Sequence, residues 1–231
     1  MRKKNLLTIG ILLAFLAVTS CSSKPEQSLL KSYFSAVRMN DKATLSTIAL
    51  EPITVDVASW RLTKAGEETV LPAVLPELNK KEAESKKALE QHIGPTMDAK
   101  DALDGAQEEL DLARTGGARA QARKKVEELQ AKYDQEYALH KDLQKAYNDT
   151  KAAAAREEEI TRFSLGVREL ANIRDLTGNV HSKEVEAVVT SKAGAEKGYR
   201  IQMRRYLLKD EALNLNHNGR WVIVRFDPIE G

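Results

Sequence analysis

Two of the four histidines in this 231-residue chain, His92 and His140, sit inside long stretches with helical spacing. They meet if the chain folds back at Gly116-Gly117. A facing imidazole pair suits a metal ion or a pH-sensitive layer. It equally suits a polar layer that fixes the register of two helices, and two ligands fall short of the three or four of a tight zinc site. Arg205 and Arg225 occupy the core-facing phase of two strand-like segments. There they would accept an anionic ligand in a pocket, or pair with Asp56, Glu186 or Asp227 at the open end of a sheet, since arginine is rarely buried alone. Arg114, Arg119, Arg123, Lys124 and Lys125 gather around the fold-back, against Glu108, Glu109 and Asp111. Such a cluster is a docking face for an acidic partner or lipid headgroups, or an ordinary solvated surface. The one cysteine, Cys21, follows small residues that end an apolar run.

No nucleophile elbow, zinc-binding His-Glu-x-x-His, phosphate loop or dinucleotide fingerprint occurs. The expectation is a non-catalytic protein without a cofactor. One cysteine excludes a disulfide scaffold, and a single long apolar run excludes a polytopic membrane protein. The chain carries 36 Lys+Arg and 34 Asp+Glu. Residues 1–20 hold Arg2, Lys3 and Lys4 and no acid, so the remainder counts 33 against 34, a net −1. That near-neutral balance argues against nucleic acid as a partner.

The elements that must position these residues begin with an address. A basic start precedes an apolar run from Leu6 to Val18. The run is short for a membrane span, which needs ~20 apolar residues, and the right length for a secretory signal. Val18-Thr19-Ser20-Cys21 resembles the lipobox of bacterial lipoproteins, although Leu-Ala-Gly-Cys is the commoner form. The resemblance implies cleavage after residue 20 and acylation of Cys21. Two or three acyl chains, at ~0.8 kcal/mol per buried CH₂, would hold the protein on a membrane. Ser22, rather than Asp, implies the outer membrane facing the periplasm if the organism is Gram-negative.

Leu29, Leu30, Tyr33, Phe34 and Val37 mark a helix over Ser28–Met39. Asn40-Asp41 breaks it, and Asp41 caps a short helix through Ile48. Ile53–Thr63 alternates as a strand with Lys64-Ala65-Gly66 as its exit. Three more strands are expected at Glu184–Ser191, Gly198–Leu208 and Arg220–Phe226, with turns at Ala193-Gly194 and at Asn216-His217-Asn218-Gly219. Tyr199, Ile201 and Met203 face one way, and Trp221-Val222-Ile223-Val224, apolar on both faces, reads as a central strand. His181 and His217 fall in turn-like stretches. Helix, short helix, strand and three meandering strands resemble the nuclear transport factor-like, or cystatin-like, α+β fold. That fold serves enzymes, ligand binders and adaptors alike.

Between the first and second strands lies an insertion of more than 100 residues. Leu75, Leu78, Glu82, Ser85, Leu89, His92, Thr96, Ala99, Leu103, Ala106, Leu110 and Ala113 repeat at 3-4 spacing. Thr115-Gly116-Gly117 stops this helix, and Val126, Leu129, Tyr133, Tyr137, His140, Leu143, Tyr147, Thr150 and Ala154 repeat in turn. Folding back pairs Ala106 with Val126, Leu103 with Leu129, Ala99 with Tyr133, Thr96 with Tyr137 and Leu89 with Leu143. Small residues thus meet large ones, as a seam of constant width requires. Each arm of ~36 residues would reach ~54 Å at 1.5 Å per residue, past a base whose radius of gyration is near ~12 Å. Pro72 and Pro76 suit first helical turns, while Gly94-Pro95 predicts a bend or a hinge. Ile160–Arg174 reads as a return helix closed by Gly178.

The expected organisation is a signal peptide at 1–20, an acylated Cys21 and linker at 21–27, a split cystatin-like domain at 28–66 plus 179–229, and an inserted hairpin with its return helix at 67–178. The function expected is that of an envelope lipoprotein. It is anchored to the membrane through the acyl chains on Cys21 and contacts a protein partner in the envelope through the projecting coiled coil. Alternatives are a ligand-binding lipoprotein with an anion pocket at Arg205 and Arg225, and an adaptor of an efflux or secretion system.

Overall fold

A computed structural model describes residues 24–53 and 55–229. Val18-Thr19-Ser20-Cys21, where a lipobox is expected, lies outside them. The described residues are α+β: four α-helices and a curled antiparallel sheet. Helix α1 spans Pro25–Met39 and α2 spans Lys42–Ile48. Asn40 ends α1 in the left-handed conformation at φ 53°. Asp41 then caps α2: its carboxylate accepts the Thr44 backbone N–H at 3.0 Å and the Thr44 hydroxyl at 2.6 Å.

The strands are β1 (Val57–Ala65), β2 (Thr69–Pro72), β3 (Thr177–Ser191), β4 (Glu196–Asp210), β5 (Leu215–Asn218) and β6 (Val222–Ile229). β3 and β4 form a long central hairpin, and each outer row is split in two. β1 and β2 share the outer edge of β3, while β6 and β5 share that of β4. The two breaks fall about three residues apart along the hairpin, the first opposite Gln202-Met203 and the second at Arg205-Tyr206. β1 leaves β3 at Val185 and β2 joins at Ser182, and β6 leaves β4 at Arg204 and β5 joins at Leu207.

The buried face changes over the same stretch. On β4, Tyr199, Ile201 and Met203 are buried, then Tyr206 and Leu208. The β3–β4 register runs without a bulge, so odd and even residues point to opposite faces. One half of the sheet packs Val185, Ala187, Val189, Tyr199, Ile201 and Met203 onto Leu30, Tyr33 and Phe34 of α1. The other half turns its opposite face, with Val180, Tyr206 and Leu208, toward Leu75, Ile160, Ile173 and Leu176. Two cores therefore lie on opposite sides of one sheet.

Several expectations change for local reasons. Segment 67–178 does not begin as helix: β2 pairs with β3, and Pro72 closes that strand. Residues 216–218 are strand β5 rather than a turn; the turn lies at 211–214, with Asn214 at φ 51°. His181 and His217 consequently sit in β3 and β5. β6 is an outer strand paired to β4 alone apart from a bridge at Ala49. It is apolar on both faces because Ile223 serves one core and Val224 the other. Gly178 lies within β3 at φ 133°, where a Cβ would come 2.3 Å from the Leu207 carbonyl oxygen. It tolerates a close strand approach and closes no helix.

Helix α3 spans Leu75–Leu112 and α4 spans Gly116–Leu165. Pro76 sits in the first turn of α3 and Thr115 caps α4. α4 runs on without a separate return helix until Gly166 ends it at φ 69°. Ile173 belongs instead to a short 3₁₀ turn, Ile173–Asp175.

Candidate functional site

α3 and α4 pack antiparallel along their length. All twelve seam positions expected on α3, from Leu75 to Ala113, are buried or half-buried, as are all those on α4 except Tyr137. Tyr137 is 42% exposed; its ring stacks on Tyr133 and carries the Lys141 ammonium 4.6 Å above it. The half-buried Glu136 lies beside the seam in its place. The fold-back register shows in the ion pair of Lys125 with Glu109 and in the stacked rings of His92 and His140, 6.2 Å apart.

His92 Nε2 approaches the Glu136 carbonyl oxygen at 3.1 Å and its carboxylate at 3.3 Å. His140 Nδ1 is buried without a hydrogen-bond partner among the described residues. Among those residues no three His, Cys, Asp or Glu side chains are placed to hold a metal ion. The geometry is that of a polar layer holding two arms in register. Pro95 lies inside α3, which continues through it. Proline removes one helix hydrogen bond there and crowds the preceding turn.

The tip is basic and exposed. Residues 112–126 contain five cations and no acid. Lys124 and Lys125 are drawn to Glu128 and Glu109. Arg114, Arg119 and Arg123 are exposed and make no ion pair among the described residues. Leu112, at 78% exposure, sits beside them.

Sequence reasoning missed the root, where the hairpin joins the sheet. Glu157 on α4 is 8% exposed. Its carboxylate accepts the Tyr206 hydroxyl at 2.7 Å and the Arg204 guanidinium at 2.9 Å, both from β4. Burial, and next the Glu157 charge, push the Tyr206 phenol well above its usual range. Ser164 donates to the Arg220 carbonyl at 2.8 Å and accepts the Tyr206 backbone N–H at 3.2 Å. Arg174, just beyond the 3₁₀ turn's start, pairs with Glu82 of α3 at 2.7 Å and Glu158 of α4 at 2.5 Å. Each arm is thus tied to the same guanidinium, and α4 is tied to the sheet. The available signal was three inward polar residues, Glu157, Thr161 and Ser164, interrupting an otherwise apolar stripe.

Arg205 and Arg225 are not brought together. Arg205 donates to the Gly219 carbonyl at 2.9 Å, and Arg225 is exposed and pairs with Asp227 at 2.8 Å. A register shift between Gln202 and Met203 places Ile223 and Phe226 opposite Met203 and Ile201. Arg225, opposite Gln202, is thereby turned to the other face, away from Arg205. The core-facing phase read for Arg225 assumed an unbroken strand, which the bulge removes.

No protein-family model, curated protein or solved structure matches the chain. Among the described residues no helix is long and apolar enough to cross a membrane.

Proposed function

We propose that this protein is a non-catalytic, lipid-anchored envelope protein that uses its hairpin to reach another envelope component. The base is read as a cystatin-like domain interrupted by the hairpin. The anchor is the acyl group that the Val18-Thr19-Ser20-Cys21 sequence invites, and the location is the cell envelope, on the outer membrane facing the periplasm in a Gram-negative organism. One observation carries the reading: a long stiff arm ends in exposed, unpaired arginines around Leu112 and is bound at its other end by buried, charge-assisted contacts. Neither core uses the arm beyond its root. A hairpin of two arms is a costly way to fill space and an efficient way to span it, at 1.5 Å per residue.

The test is in-cell photocrosslinking with the probe at Arg119, and at Lys209 as a control on the base. A discrete adduct from Arg119 alone is expected. Adducts only from Lys209, or none, would sink the reaching function. Metabolic labelling with a palmitate analogue tests the anchor separately: incorporation is expected, and Cys21→Ser abolishes it.

A further inference from the structure

A groove unrelated to the hairpin tip opens between the end of α1, α2 and the segment leading into β1. Its volume is about 790 Å³, within the roughly 300–1,000 Å³ of small-ligand pockets. Val37, Leu45, Leu50, Ile53, Val55 and Phe163 form its floor. All six are half-buried, so each is packed below and leaves apolar surface open to the groove.

The rim is mainly cationic. Arg38, Lys42 and Lys192 border it against one acid, Asp56, and Asp56 is already paired with Lys192 at 2.8 Å. The other nearby acids are occupied too. Asp41 is turned onto Thr44 as the α2 cap, and Glu51 pairs with Arg156. Arg38 and Lys42 therefore stand on the rim with no acidic partner among the described residues. Lys42 also opens α2, where the helix dipole disfavours a cation, so capping does not explain it.

We propose that this groove binds a single-chain anionic amphiphile of the fatty-acid class, its acyl chain along the apolar floor and its headgroup between Arg38 and Lys42. An uncharged apolar ligand would leave the two cations unanswered, and a small anion would leave the floor wet. The proposal is independent of the hairpin's role.

Palmitate bearing a terminal diazirine, added in stoichiometric amounts to the full chain in proteoliposomes, provides the test. Saturable labelling of peptides within residues 37–56 or around Phe163 is expected. Leu45→Trp, which fills the floor, should cut labelling at least fivefold without changing the melting temperature. Arg38→Glu with Lys42→Glu should cut it about tenfold while sparing a hexadecylamine analogue, and Cys21→Ser should leave it unchanged. Labelling spread over the chain, indifference to Leu45→Trp, or equal labelling by the amine would overturn the proposal. So would labelling that appears only after Cys21→Ser, because the occupant would then be the chain's own acyl group. A protein adduct captured by a photoreactive residue at Ser46, with no lipid label, would overturn it as well.

Discussion

At the scale of single residues, the most consequential groups are buried and polar. Tyr33 accepts the Ile53 backbone N–H at 2.8 Å, and burial pushes its phenol up to about 12. A tyrosine whose pKa is raised by folding contributes stability that is complete below the unfolded value of about 10 and is lost as pH rises through the folded one. Alkaline unfolding should therefore set in between about pH 10 and 12, and Tyr33→Phe should flatten that decline. Urea titrations followed by circular dichroism at stepped pH measure it; an unchanged slope would contradict the assignment. Tyr206→Phe leaves Glu157 buried with Arg204 alone, and should cost about 1–3 kcal/mol. Equilibrium denaturation checks this, with Gln135→Ala, on the exposed face of the arm, as a near-neutral comparison. Sequence showed that Tyr33 is a core residue, because its neighbours repeat at helical spacing. It could not show the Glu157–Tyr206 bond, which joins residues 49 apart in sequence.

At the scale of elements, helices were legible and strand faces were not. The seam of α3 could be read because its period persists over many turns, and small residues on one arm answer large ones on the other. Strand β4 misleads because its buried phase inverts between Met203 and Tyr206. No local residue marks that inversion; it follows from where α1 ends and where α3 and α4 arrive. The phase of Arg225 failed for a related reason, a bulge visible only in the pairing of β6 with β4. Pro95 is the weak point of α3. Pro95→Ala restores a backbone donor and should stabilise the hairpin by up to about 3 kcal/mol. Hydrogen exchange of amides around residues 91–99 should slow accordingly. Unchanged exchange would show that neighbouring groups already compensate for the missing bond.

At the scale of the whole molecule, Arg174 decides how the arm is held. Its guanidinium bonds Asn79 and Glu82 on one arm and Glu158 on the other. Arg174→Ala should leave both cores folded and loosen the hairpin's angle to the base. Spin labels at Arg119 and Lys209 would report this as a broader distance distribution at nearly the same melting temperature. A narrow, unshifted distribution would mean that the Glu157 cluster suffices by itself. The two cores on opposite faces have a mechanical consequence. Helix α1 presses on one half of the sheet from one side, while the root of the arm presses on the other half from the other side. The sheet is clamped like a plank between offset jaws. A sideways load at the tip, acting through an arm about 55 Å long, arrives as a torque at the root, and it passes to the rest of the base through the shared β3–β4 hairpin and the Arg156–Glu51 ion pair.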